Sequence, residues 1–380
     1  MGLRILFLNG QPFLPQIVGG VEVSTLQLCH VLRELGHEPF IMASLGRGDA
    51  LWLRNAMMRR LTGFPCPSDR YHGIPVFRGW NMPQGLTAVI ERIRPDAVVL
   101  QTVNPGPDFT AVCARAIELG TPTFAYVRAV STIMRLRTHR LPDALNFIGN
   151  SSFTAGVIQR ELGRDAGIVP PLIDARRYAG ESSREFVTMI NPRPLKGGDI
   201  ALALAQSCPD IPFLFVEAWG RDDPEVERIR QAATRLSNVE WLRPQRDMQA
   251  IHGRTKILLV PSRCEETWGR VVSEGHFLGI PALASRIGAL PETVGPGGIL
   301  VSPDAGAPAW TQALRGLWDD AAAYAEIAAA AQRFSAREEI EWRHVAGRFV
   351  ACLQAVIRQP AEDRLTASRR RSATETALPH

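Results

Sequence analysis

The sequence predicts an α/β protein: two doubly wound, Rossmann-like domains facing each other across a cleft. Three observations carry this. Short apolar runs alternate with amphipathic helical patterns, the signature of a parallel sheet covered by helices. The alternation restarts after the paired prolines Pro170-Pro171. The chain has 380 residues, enough for two domains of roughly 100–200 residues each.

In order, Arg4 to Asn9 reads as the first strand. Val21 to Leu35 carries Leu28, Val31, Leu32 and Leu35 at helical spacing and stops at Gly36. Phe40–Ala43, Ala97–Leu100, Thr123–Val127 and Asn146–Ile148 read as further strands, with Asp108 to Leu119 as an intervening helix. Phe186–Ile190, Phe213–Glu217, Val239–Leu242, Ile257–Pro261 and Ala282–Ala284 form the second set. This places a first domain over residues 1–168, a hinge over 169–184 and a second domain over 185–335. A last helix, about 340–358, is expected to pack back on the first domain, and the polar segment 360–380 to be disordered.

Composition narrows the function classes. Hydrophobic residues make up 46% and charged residues 21%, ordinary for a globular protein, and no apolar run reaches the ~18–20 residues of a membrane span. The apolar stretch Ile5 to Leu8 is short and lacks a cleavage site, so it reads as a strand and not a signal peptide. Six scattered cysteines form no C-x-x-C pair, which signals neither a zinc site nor a disulfide framework and suits a cytoplasmic setting. The net charge of +5 favours anionic partners, but no basic stripe interleaved with aromatics points to nucleic acid. No G-x-G-x-x-G follows the first strand, which disfavours a dinucleotide-dependent oxidoreductase.

In open α/β folds ligands bind at the carboxyl ends of strands, so the loops after strands matter most. The segment from Pro261 to Gly275 holds Glu266 on a loop and Glu274 in the following helix, seven residues between them. Unpaired N–H groups of Thr267, Trp268, Gly269, Arg270 and Val271, at the loop and helix start, suit a diphosphate. Here the chain resembles the retaining glycosyltransferases of the GT-B fold, the large family (family 4, group 1) marked by Glu, seven residues, then Glu. The flanks agree: Pro261-Ser262 before, Gly279-Ile280-Pro281 and Gly288-Ala289-Leu290-Pro291-Glu292 after. Gly19-Gly20 at the first helix, Leu35-Gly36-His37 at its end, and Asn191-Pro192-Arg193-Pro194-Leu195-Lys196-Gly197 after the first strand of the second domain extend the resemblance over nearly the whole chain.

The resemblance implies transfer of a hexosyl group, with retention, from a nucleotide-diphosphate sugar to a glycan, lipid-linked or small-molecule acceptor. It implies Glu266 and Lys196 as catalytic residues. Gly19, Gly20, Asn191, Arg193, Lys196, Thr267 to Val271 and Glu274 would bind the donor, and the loop Arg243 to Met248 its base. No cofactor and no metal are expected, since the chain has no Asp-x-Asp and its eight histidines show no ligand spacing. The family's usual Arg is Asn191 here, with Arg193 displaced by two. Its usual first-domain His is Arg128, which cannot act as a base at neutral pH; Gln101 and Asn104 complete an acceptor side. These departures motivate an alternative, a non-catalytic nucleotide-sugar-binding homologue or partner subunit, against which the presence of both glutamates argues. Arginines 47, 54, 59, 60 and 70, interleaved with apolar residues, and a second group, Arg128, Arg135, Arg137 and Arg140, suggest that the first domain binds an anionic, lipid-linked acceptor and makes peripheral contact with a membrane, at the inner face.

Overall fold

The computed structural model describes residues 2–102, 109–178, 180–218, 223–245 and 247–359. The chain forms two compact units. One takes the chain up to Leu172 and again from Arg343; the other is Ile173–Trp342.

The first unit is built on eight strands: β1 (Arg4–Pro12), β2 (Glu38–Ser44), β3 (Ser68–Tyr71), β4 (Ile74–Gly79), β5 (Ala97–Thr102), β6 (Thr123–Val127), β7 (Leu145–Gly149) and β8 (Ala166–Ile168). Their order is β3-β4-β2-β1-β5-β6-β7-β8, parallel except for the β3–β4 hairpin. Among the described residues, six helices accompany them: α1 (Gly20–Glu34), α2 (Ala50–Thr62), α3 (Met82–Ile93), α4 (Phe109–Glu118), α5 (Val130–Leu136) and α6 (Ser152–Leu162). The hairpin was not anticipated above. Its two-residue turn, His72-Gly73, has φ of +47° and +80°, which matches the twist of the flanking strands.

The second unit carries β9 (Phe186–Ile190), β10 (Phe213–Val216), β11 (Val239–Leu242), β12 (Thr255–Val260), β13 (Ala282–Ser285) and β14 (Gly298–Val301), all parallel, in the order β11-β10-β9-β12-β13-β14. Between and after them lie α7 (Gly198–Ser207), α8 (Pro224–Ala233), α9 (Met248–His252), α10 (Arg270–Phe277), α11 (Leu290–Val294), α12 (Ala307–Asp319) and α13 (Ala321–Ser335). Strand alternation sorts the core onto two faces. Ile257 and Leu259 pack with Leu204 and Trp310 from α7 and α12. Leu258 and Val260 pack with Val272 and Leu290 from α10 and α11.

A last helix, α14 (Trp342–Ile357), runs almost entirely in the first unit. Phe349 is buried, its ring stacked on Phe7 at 5.6 Å and tilted against Tyr126 at 6.1 Å. Tyr126 Oη donates to the carbonyls of Val169 and Pro170, at 2.7 and 3.0 Å, which fixes the end of that unit. The 360–380 segment lies outside the described residues.

In each sheet the strand order reverses once, between β1 and β5 and between β9 and β12. The chain leaves these neighbouring strands in opposite directions, opening a crevice at their carboxyl ends.

Candidate active site

The second switch point joins two loops far apart in sequence. After β9 the chain turns through Asn191, at φ +65°, a left-handed conformation that asparagine tolerates better than most residues. A short 3₁₀ turn, Pro194–Lys196, follows and ends on Gly197 at φ +79°. After β12 the loop is laced to this turn: the amides of Arg263 and Cys264 both donate to the Leu195 carbonyl, at 3.0 and 3.2 Å. The approach is so close that a Cβ on Gly197 would lie 2.0 Å from the Pro261 carbonyl oxygen.

This brings Lys196 and Glu266 together across 70 residues. Lys196 Nζ donates to Glu266 Oε1 at 2.5 Å, and Ser262 Oγ donates to the same oxygen at 2.7 Å. Burial pulls the Lys196 ammonium down, but the Glu266 carboxylate and Cys264 outweigh it and hold its pKa above the ordinary lysine value. The Glu266 backbone is clamped as well. Its carbonyl accepts from the Ala289 amide at 2.7 Å, and Gly288, at φ +58°, sits where a Cβ would meet that carbonyl oxygen at 2.3 Å.

Past Glu266 the loop turns inward. Thr267 and Trp268 are buried; Trp268 Nε1 donates to Ser273 Oγ at 3.1 Å, and Thr293 Oγ1 donates to the Trp268 carbonyl. Gly269, at φ +82°, caps α10, and half-buried Arg270 and Val271 open it. Glu274, one turn into α10, is buried. Arg270 Nε donates to its Oε1 at 2.5 Å, and His252 Nε2 stands 3.4 Å from its Oε2. Tyr178 Oη lies 3.4 Å from Arg270 Nη2. Burial alone would raise the Glu274 pKa; Arg270 and His252 more than offset it and hold it below the usual carboxylate value. His252, Tyr178 and Ser262 were not identified from sequence as members of this cluster. They come from α9, from the segment before β9 and from just after β12; the sequence marked Ser262 only as a flank of the motif, and no spacing links His252 or Tyr178 to Glu274.

Arg193 points elsewhere: its Nε lies 3.9 Å from Asp223 Oδ2. Both residues line a cleft of about 510 Å³ at the ends of β9, β10 and β11, with Asn191, Glu217, Arg243 and Pro244. Glu217 accepts there from Trp241 Nε1 at 2.7 Å and from Arg243 at 3.0 Å. Of the loop expected to hold the base, Arg246 lies outside the described residues.

The remaining candidates sit in the first unit. Gly19 caps α1, and Gln11 Nε2 donates to Glu22 Oε1 in its first turn at 2.9 Å. Arg128 is no surface charge; it is 8% exposed, its guanidinium 4.0 Å from the Tyr126 ring centre. It donates to the Val21 carbonyl at 3.1 Å and to Thr25 Oγ1 at 3.3 Å, so it braces the start of α1. Gln101 pairs in register with Asn9 on β1 and Tyr126 on β6. The buried side-chain amides of Asn9 and Gln101 have no hydrogen-bond partner among the described residues. Asn104 lies outside the described residues.

Comparison with known proteins bears on the family and the fold. Residues 18–177 match the family model described as Glycosyltransferase Family 4, and residues 201–320 the one described as Glycosyl transferases group 1. The chain is similar to the solved structure of a sucrose-phosphate synthase from Thermosynechococcus elongatus, with TM-score 0.74 and 14% identity over 93% of this chain and 99% of that one. It is similar to Anabaena HepE in complex with UDP-glucose, with TM-score 0.72 and 19% identity over 93% of this chain and 100% of that one. A glycosyltransferase of Rickettsia africae gives TM-score 0.71 and 15% identity over 94% and 100%. An exopolysaccharide phosphotransferase of Streptomyces coelicolor is 29% identical over 159 residues, 39% of this chain; the chain spans only 17% of that relative's length. The two family models match 160 and 120 residues in succession, together 280 of the 380, and the two-sheet fold is shared with these structures, so the chain belongs to the group 1, family 4 glycosyltransferases of GT-B architecture.

Proposed function

We propose that the protein is a retaining glycosyltransferase that moves a hexosyl group from a nucleotide-diphosphate sugar to a glycan, lipid-linked or small-molecule acceptor. The observation that carries this is the Lys196–Glu266 pair at the β9/β12 switch point, beside the start of α10. Lys196 and the N–H groups at the start of α10 would neutralise the charge that develops on the departing diphosphate. A protein cation there can do this without a metal ion. Glu266 is already ion-paired, which weakens it as a nucleophile and suits it to hold sugar hydroxyls. That supports front-side delivery of the acceptor, with retention. Each Glu274 oxygen keeps a lone pair after its contact with Arg270 or His252, so it can still accept from a ribose hydroxyl. The cleft lined by Glu217 and Arg243 would take the base, with Arg193 at its edge. On the acceptor side, Asn9, Gln101 and Arg128 supply buried polar groups at the other switch point. A cytoplasmic setting and peripheral membrane contact through the first unit belong to the same reading.

A non-catalytic nucleotide-sugar binder is favoured by one observation: Asn191 stands where the family carries Arg. Release of free nucleotide from donors separates the two readings. UDP-glucose is the first donor to test, given the HepE complex. We expect turnover that survives EDTA and falls about 10²–10³-fold in Lys196→Met, with little change in melting temperature. No nucleotide release from UDP-, GDP- or ADP-sugars would favour the binder. Activity abolished by EDTA and restored by manganese would overturn metal independence.

A further inference from the structure

We propose that the outward face of α2 docks on an anionic lipid bilayer. This names the partner surface for the membrane contact included above and rests on that part of the reading; the donor chemistry can fail without it. Leu53, Met57 and Leu61 are 62%, 57% and 73% exposed. Spaced by four, they line one side of the helix, opposite the fully buried Asn55. Among the described residues, the other exposed large apolar side chains are Ile17, Leu35, Met134 and Leu195, no two of them on one element. A water-facing apolar stripe on a 13-residue helix therefore has no counterpart elsewhere in the described fold.

The charges say what covers the stripe. Arg54 and Arg60, both exposed, border it on either side, and α2 contains no acidic residue. Apolar side chains between cations fit the boundary between lipid headgroups and acyl chains. A second copy of the same face would set arginine against arginine. The helix is also held firmly. Its cap residue Asp49 accepts from the Trp52 amide at 2.8 Å and from Gln16 Nε2 at 2.7 Å, and the Gly46 amide donates to Gln16 Oε1 at 3.1 Å. Gln16 thus joins α2 to the segment leading into Gly19-Gly20. Buried Arg78 braces that segment further, donating to the carbonyls of Phe13 and Leu14 while paired with Asp69.

Flotation of the full chain with vesicles tests this, using phosphatidylcholine with about 30% phosphatidylglycerol against phosphatidylcholine alone. We expect binding to the anionic vesicles, weakened by salt. It should fall about tenfold or more in Leu53→Ser/Met57→Ser/Leu61→Ser and again in Arg54→Glu/Arg60→Glu. All five positions are exposed, so melting temperature and vesicle-free nucleotide release should stay at wild-type values. Equal flotation of wild type and both variants, or none at all, would overturn the proposal. So would a sedimentation dimer that the Ser variant dissolves without any vesicle binding, which would assign the face to a second copy. A chain that floats as expected but releases no nucleotide would count against the donor reading alone.

Discussion

At the scale of single residues, the second unit holds two carboxylates in different states. Glu266 shares one oxygen between Lys196 and Ser262 and stays partly accessible; Glu274 is buried against Arg270 and His252. The buried pair makes a pH-dependent contribution whose sign follows from its shift. The Glu274 pKa lies below its ordinary 4.5 in the folded chain. Its contribution is therefore complete above that ordinary value and is lost as pH falls through the lower, folded one. Glu274→Gln leaves the Arg270 guanidinium, 13% exposed, without its countercharge, so it should cost about 2–3 kcal/mol at neutral pH. Urea unfolding of both proteins from neutral pH downward should show the difference shrinking below the ordinary carboxylate value. A difference that stays constant into acid would mean that the charge on Glu274 contributes nothing.

At the scale of elements, the site depends on backbone approaches that side chains would block. Glu266 is held because the loop after β13 passes directly over it, at Gly288. Gly288→Ala would combine φ +58° with a Cβ 2.3 Å from the Glu266 carbonyl oxygen. It should destabilise by more than the ~1 kcal/mol typical of a glycine constraint, and shift Glu266 as it does so. Melting temperature and nucleotide release are expected to fall together. Full activity with an unchanged melting temperature would show that the approach is not needed. The Glu-x₇-Glu motif and its glycine flanks were legible in the sequence because loop, helix start and glycines are contiguous. The partners His252 and Tyr178, and the role of Ser262 within the flank, were not, because a buried serine, histidine or tyrosine looks the same in a chain whether it meets a carboxylate or a carbonyl.

At the scale of the whole molecule, the chain returns to its first unit after completing the second, and α14 covers β1 and β6 through Phe349. That ring is fully buried. Phe349→Ala should cost about 3–5 kcal/mol. The loss should appear in unfolding followed by probes in the first unit, such as protection of β1 and β6 amides from hydrogen exchange. Loss of protection confined to β9–β14 would contradict the assignment of α14 to the first unit.

The sequence by itself determined the α/β class, the two successive sets of parallel strands and the segment carrying Glu266 and Glu274. Buried parallel strands must be continuously apolar, and a left-handed turn into a helix favours glycine, as at Gly269; both leave marks within a few residues. Tertiary structure alone decided which loops meet. Strand order places β9 beside β12, and only that adjacency joins Lys196 to Glu266 across 70 residues. It also decided the state of Arg128, whose place at a strand end reads as surface or as ligand contact until α1 is seen packed over it. The same holds for α2: the sequence interleaves its leucines and methionines with arginines, and only the fold separates exposed Leu53, Met57 and Leu61 from half-buried Leu51, Trp52 and Met58. Burial is a property of what packs against a helix, and nothing in the described first unit covers that face.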